Sequence, residues 1–295
     1  MNSLSLPTLA LCLGALAFTA TAQTEIGLNL GVSFYEGDLA PKSRTQLLLQ
    51  SQGSYGAYVR TDVGNLLAMR GFVQSSRIQG DDALRPGQEA RNLSFRSNIF
   101  EIGVAAEVYP LGVSAPLSPY VSAGASVFNF NPETNYNGRW IELQPLGTEG
   151  QGLPGYTERY ALTRFAVPVG IGVRYALGES FVLGAEGVAR LTFFDHLDDV
   201  SGDYVPYYTL REGRGLEGSR GNGTLAAALG DRTGEFRGTE PLERAEGTRR
   251  GDPTNNDWYY TATITIGYRI GSGLFGGGGG SKRGSSSRYN RCYQF

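Results

Sequence analysis

From Ile26 to Phe34 an apolar side chain occupies every second position, Ile26, Leu28, Leu30, Val32 and Phe34, with Gly27, Asn29, Gly31 and Ser33 between them. A period of two is the mark of a strand with unlike faces. An oily face of this kind either packs as the core of a water-soluble sandwich or faces lipid from the outside of a closed barrel. No later segment has the apolar length of a transmembrane helix, so membrane insertion of this chain means a barrel.

The residues ahead of that strand read as an export signal. Leu9 to Phe18 form an apolar stretch too short to span a bilayer, and Ala20-Thr21-Ala22 supplies the small-x-small site for cleavage before Gln23, although no Lys or Arg precedes the stretch. Cys12 does not make a lipoprotein signal, because bulky Leu11 stands where a small residue is needed. Residues 1–22 are therefore expected to be a signal peptide and 23–270 the barrel.

Seven further runs repeat the alternation: Tyr55 to Asp62, a third run around Leu67, Met69 and Val73, Phe100 to Val108, Tyr120 to Phe130, Arg164 to Tyr175, Phe181 to Phe193 and Trp258 to Ile270. Connections after the odd-numbered runs are long and those after the even-numbered runs short, as outer-membrane barrels with long external loops and tight periplasmic turns require. The expected fold is all-β, an eight-stranded antiparallel outer-membrane β-barrel with long external loops and a flexible periplasmic C-terminal tail. A formal charge of −2 at pH 7 argues against nucleic acid as a partner. Among 43 glycines and 17 tyrosines, the glycines suit tight turns and a narrow lumen and the tyrosines an interface belt. Pro168 lies inside the sixth run and, in a closed barrel, must mark a bulge or a weakened ladder.

Eight strands enclose an interior that side chains fill. The inward set predicted here includes Glu101, Glu107 and Glu186 with Arg60, Arg70, Arg164, Arg174, Arg190 and Arg269, and charges held away from water must pair. The expectation is a plugged barrel with an ion-pair network. The loop from Ser201 to Asn256, with Arg232, Arg237, Arg249 and Arg250 among its charges, reads from composition as mobile and suited to contacts with other surface components.

Residues 271–295 form a Gly/Ser-rich leash and a basic, cysteine-containing tail. Gly271 to Ser287 is too poor in apolar groups to fold, and its Ser281-Lys282 order does not make a phosphate loop. Arg288, Tyr289, Arg291, Cys292, Tyr293 and Phe295 then bring cations and aromatics together, and these are the candidate partner-docking residues. Cys292 is the one cysteine outside the signal, so in an oxidising compartment it points to an intermolecular disulfide or a reactive thiol; the alternative is an incidental free cysteine.

Several ordered blocks resemble the PorG family across nearly the whole mature chain. They are Glu25-Ile26-Gly27-Leu28 with Tyr35-Glu36-Gly37-Asp38-Leu39, Gly80-Asp81-Asp82, Arg91-Asn92-Leu93-Ser94-Phe95, Pro119-Tyr120-Val121 running to Phe128-Asn129-Phe130-Asn131-Pro132, Leu143-Gln144-Pro145-Leu146-Gly147-Thr148-Glu149-Gly150-Gln151-Gly152, and Leu197-Asp198-Asp199-Val200-Ser201-Gly202. The resemblance implies a non-enzymatic outer-membrane barrel of the type IX protein secretion machinery, which in some species also serves gliding motility. It further implies contact with a periplasmic ring built from the lipoprotein PorK and its partner PorN, with Cys292 as the position touching the lipoprotein. The family pairs its terminal cysteine with proline, whereas Tyr293 follows Cys292 here. No cofactor is implied.

Three other readings compete. An outer-membrane hydrolase, protease or lipid-modifying, would draw on Asp195, His196 and Ser201, but groups so close in sequence rarely face one another as a triad. Asp195, Asp198, Asp199 and Asp203 offer oxygen ligands for calcium without the usual spacing, so a solvated acidic loop is the expectation. A simple porin or anchor would need only the barrel.

Overall fold

The computed structural model describes residues 23–215, 222–245 and 247–270. Eight long strands close on themselves: β1 (Thr24–Glu36), β2 (Gln52–Asp62), β3 (Leu67–Asp81), β4 (Ser94–Val108), β5 (Leu117–Tyr136), β7 (Thr163–Leu177), β8 (Phe181–Leu191) and β9 (Trp258–Ile270), while short β6 (Arg139–Glu142) folds back on the end of β5. Every neighbouring pair is antiparallel, and the β1 to β9 pairing completes the circle.

The register sets the shape of the cylinder. Followed through Tyr55, Ser75 and Phe100, the partners of Leu30 lead to Asn129 on β5; followed through Ile264, Ala185 and Val173, they lead to Pro119 on the same strand. The ten-residue offset tilts the strands by about 40° for a rise of ~3.3 Å and a strand spacing of ~4.8 Å.

Outward side chains are apolar over a band bounded by aromatics: Phe100, Phe165 and Trp258 toward one end, Tyr175, Phe181 and Tyr268 toward the other, all exposed. From Trp258 to Tyr268 is ten residues along β9, roughly 25 Å at this tilt, which matches the apolar belt of a membrane barrel. Leu30 is 70% exposed and Phe165 75% exposed, so these residues face outward and not into a soluble core. Among the described residues no helix is long and apolar enough to cross a membrane.

Beyond the belt the pattern reverses its phase with no slip in register. In β3, β4 and β5 the inward residues become apolar, with Ile78, Phe95, Ile99, Phe128 and Phe130 all buried. The outward ones become polar: Arg77 donates to Asn98 at 2.8 Å, and Arg96 pairs with Glu133 at 3.0 Å. These three strands therefore stand clear of the lipid and carry their own water-facing exterior.

All long connections, 37–51, 82–93, 137–162 and 192–257, lie at one end, and the short turns 63–66, 109–116 and 178–180 at the other. The long loops build a cap. They contain α1 (Arg44–Leu49), α2 (Tyr207–Gly213), α3 (Gly223–Gly230) and α4 (Thr233–Arg237). For its described residues the expectation of a mobile loop from Ser201 to Asn256 is thus corrected: Leu210, Ala226 and Leu229 are buried, and the last two join Leu39, Leu143, Leu146, Leu197 and Val200 in one apolar cluster with the upper lumen. Small and apolar residues spaced through a Gly- and Arg-rich stretch were enough to form a core once the barrel mouth supplied the opposing surface.

Pro168 marks a weakened ladder. Ala123 pairs with Val169 and Ser126 with Ala166, but the two rungs between them are missing on the β5 side, whereas Pro168 still pairs with Arg190 on β8. The register is the same on both sides of the gap, so there is no bulge; the imide nitrogen has no proton to give.

Candidate functional site

The barrel interior is filled by a balanced set of charges. Arg60, Arg70, Arg174 and Arg190 face Glu25, Glu101, Glu107 and Glu186, all of them buried. Arg70 is the hinge of the set, with Nη1 2.6 Å from Glu186 and Nε 3.1 Å from Glu107. Arg60 reaches the same Glu107 at 2.9 Å and Asp62 at 2.7 Å. Arg190 pairs with Glu101 at 3.1 Å, and Arg174 pairs with Glu25.

Tyrosines complete the coordination of the carboxylates. Tyr58 donates to Glu25 at 2.8 Å, Tyr109 to Glu107 at 2.5 Å and Tyr120 to Glu186 at 2.7 Å. Buried ions are tolerated only when paired and hydrogen-bonded, and here the tyrosines supply donors that the arginines leave unfilled. Space for them comes from paired glycines: a Cβ on Gly27 would sit 2.3 Å from the Tyr58 ring, and one on Gly267 2.2 Å from Glu25.

Seven of the nine predicted interior charges take part in this network. Arg164 and Arg269 do not. Arg164 is half-buried at the loop-end rim, 4.3 Å over the Phe194 ring, and donates to the Ala161 carbonyl at 3.2 Å. Arg269 sits half-buried at the turn end without an ion pair among the described residues. Both occupy strand ends, where the inward direction opens to water. Glu25 was missed, although it lies two residues before Gly27 on the same inward face and one further step of the alternation reaches it.

Above the charged layer the cap is held by buried carboxyls. Asp198 and Asp199 are adjacent yet turn to opposite partners. Asp199 accepts from Thr148 at 2.5 Å and Tyr160 at 2.6 Å. Asp198 Oδ2 lies 2.6 Å from the Tyr35 hydroxyl, and Asp257 Oδ1 lies 2.8 Å from the same oxygen. One hydroxyl proton cannot serve both, so the second contact is a hydrogen bond only when one carboxyl is protonated. Backbone N–H groups of Val200 and Leu197 donate to the other oxygens of Asp198 and Asp257, each at 2.8 Å.

Electrostatics agree with that proton count. Burial raises Asp198 and Asp257 well above the usual carboxylate range, with neighbouring acids adding to the effect. Burial pushes Asp199 up to about 6 against the pull of Arg250, and Asp195 up to about 7. The expectation of a solvated acidic loop is therefore corrected for Asp195, Asp198 and Asp199, which are buried; Asp203 alone of the four is exposed, 3.7 Å from Arg249. No group of three or more acidic, His or Cys side chains converges in a metal-binding arrangement among the described residues.

His196 joins an aromatic triangle, stacked on Phe194 at 5.4 Å and tilted against Tyr160 at 5.0 Å, with those two rings 5.8 Å apart. Burial lowers its proton affinity, and its nearest carboxylate is Glu149 at 3.9 Å. No hydrogen bond joins it to Asp195 or Ser201 among the described residues. Glu149 is occupied by Arg250 at 2.8 Å and by the Ser201 and Gly202 N–H groups at 2.9 and 3.0 Å.

Sequence blocks far apart in the chain meet in this cap. The block holding Glu149 clasps the one holding Asp199 and Ser201. Arg91 grips Asp82 with both Nε, at 2.7 Å, and Nη2, at 2.6 Å, and also reaches the Asp38 carbonyl at 3.0 Å. Tyr35 is drawn in through Asp198. The candidate docking residues Arg288, Tyr289, Arg291, Cys292, Tyr293 and Phe295 lie outside the described residues, as does the leash.

A closed eight-stranded cylinder with a lipid-facing belt, a charge-plugged interior and a folded cap defines the class: a small outer-membrane β-barrel. The chain belongs to the family described as "Domain of unknown function (DUF6089)", whose model matches residues 5–217. No curated protein matches it. Similar solved structures include Ail, the attachment invasion locus protein of Yersinia pestis, at 10% identity, covering 85% of this chain and 100% of that one with a TM-score of 0.40. Neisserial surface protein A is 11% identical over 84% of this chain and 99% of its own, with a TM-score of 0.40. A major outer membrane protein of Thermus thermophilus is 12% identical over 85% and 100%, with a TM-score of 0.37.

Proposed function

We propose that this chain is a non-enzymatic outer-membrane component of a type IX protein secretion machinery, acting as a fixed anchor for a periplasmic ring. The observation that carries the reading is the sealed interior: arginine–glutamate pairs fill the lumen and a folded cap closes the loop end, so the barrel works through its surfaces and not as a conduit. Support for the particular machinery comes from the PorG-like blocks, five of which meet in that cap. The His196 surroundings do not favour the hydrolase reading.

With the long loops outside and the short turns in the periplasm, as membrane barrels are built, paired Thr24 and Ile270 both lie at the periplasmic rim. Residues 271–295 then begin beneath the membrane. In this reading the leash lets Arg288, Tyr289, Arg291, Tyr293 and Phe295 dock on a PorK-like lipoprotein and its PorN-like partner, with Cys292 forming an intermolecular disulfide. Tethering one contact raises the effective concentration of the next. The test is co-purification of the ring lipoprotein under non-reducing conditions, with loss of a reducible adduct in Cys292→Ser. Unchanged gel mobility, ring assembly and secretion in that variant would refute the covalent tether, and a labelled Cys292 reached from outside the cell would refute the topology.

A further inference from the structure

The first long loop presents a surface that the barrel and cap leave uncovered. In α1 exposure alternates with the helical period: Arg44 and Thr45 are exposed, Gln46 and Leu47 are partly covered, and Leu48 and Leu49 are exposed again. Residues four apart share a helix face, so Arg44 lies over Leu48 and Thr45 over Leu49. The outward face thus has a polar, cationic start, preceded by exposed Lys42, and an oily finish in which Leu48 is 65% and Leu49 74% exposed.

The polarity runs in a definite direction along the chain. The leucine end leads, after Gln50 and Ser51, into β2, which descends straight into the lipid belt; its first large outward side chain is Tyr55, itself 60% exposed. Between them Gly53 is exposed, with no atom near the site of a Cβ, so no side chain screens that stretch of β2. Along the chain Leu48 and Leu49 precede Tyr55 by only seven and six residues, whereas Arg44 and Lys42 lie a helical turn or more further back.

We propose that α1 is a membrane-surface lip: Leu48 and Leu49 enter the lipid leaflet at the loop end, and Arg44 and Lys42 bind the phosphate-bearing headgroups of that leaflet. Apolar side chains seated at the acyl boundary with cations reaching back to the headgroups is how interfacial helices hold a bilayer surface. The proposal rests on the barrel spanning a membrane and is independent of the secretion role.

The test uses the chain from Gln23 onward with Cys292→Ser, refolded into phosphatidylcholine vesicles, with an environment-sensitive fluorophore on Leu49→Cys and, as reference, on exposed Thr239→Cys in the cap. Lipids brominated near the top of the acyl chain should quench the Leu49 probe roughly twofold and leave the Thr239 probe unchanged. Adding phosphatidylglycerol should deepen the quenching, and Lys42→Glu with Arg44→Glu should abolish that increment. Equal quenching at both positions, or none at Leu49 in samples whose heat-modifiable gel shift shows a folded barrel, would overturn the insertion. Deepening that survives both charge reversals would overturn the headgroup contact.

Discussion

Raising the pH should loosen the cap while leaving the barrel closed. Asp198, Asp199, Asp257 and Asp195 are all held above the ordinary carboxylate value, so each favours the closed cap at acid pH and withdraws that support as pH rises through its folded value. For Asp199 the folded value is about 6 against an ordinary 3.8. At ~1.4 kcal/mol per tenfold change in proton activity, that difference costs about 3 kcal/mol by pH 8.5, about a hundredfold in the opening equilibrium. Arg91 is paired with Asp82, and Arg250, paired with Glu149, pulls on Asp199 without restoring its ordinary value. Asp195 and the pair sharing Tyr35 act in the same direction. Hydrogen exchange at the Leu197 and Val200 amides, corrected for intrinsic rates, reads this opening directly because both donate to the carboxyls concerned. Asp257→Asn gives the Tyr35 oxygen a neutral donor at every pH and should flatten part of the profile. Protection that does not fall between pH 4 and pH 8.5, or an Asp257→Asn profile identical to the native one, would refute the shared-proton account.

Other consequences can be measured on the barrel itself. Arg70→Ala strips both Glu107 and Glu186 of a partner and should lower stability in urea titrations by about 3–5 kcal/mol, because it leaves buried charge uncompensated. Gly27→Ala drives the Tyr58 ring from its place beside Glu25 and should cost about 1–3 kcal/mol in the same titration. Pro168→Ala restores a donor at the interrupted rungs and should stabilise by ~1 kcal/mol, with the Gly124 region newly protected from exchange. Planar-bilayer recordings should show no steady open conductance from the native barrel.

The belt was legible because lipid imposes a strict rule: every second residue from Ile26 to Phe34, or from Tyr260 to Tyr268, must suit hydrocarbon. Where β3 to β5 leave the membrane that rule reverses, and so the strands read as ending near Phe100 and Phe130 although they continue to Ser94 and Tyr136. The reversal does leave a trace, since Ile99-Phe100 and Val127-Phe128 put apolar residues on both faces at the crossing point. The cap was not legible. Asp198 and Asp199 look like solvated loop acids until Tyr35, Thr148, Tyr160 and Asp257 arrive from remote segments, and no local pattern announces contacts of that separation. Arg164 and Arg269 followed the inward phase faithfully, but phase gives direction and not depth.

The three tall strands make the rim uneven. Over β3, β4 and β5 the wall rises as a parapet above the bilayer, whereas β8 stops at Leu191, β9 starts at Trp258 and β1 ends at Glu36, close to lipid level. A neighbour diffusing in the membrane plane therefore meets a barrier on one flank and an open threshold on the other. A subunit touching the cap from the side would have easier access over β8, β9 and β1 than over the tall strands, so the uneven edge would bias the orientation of such a contact.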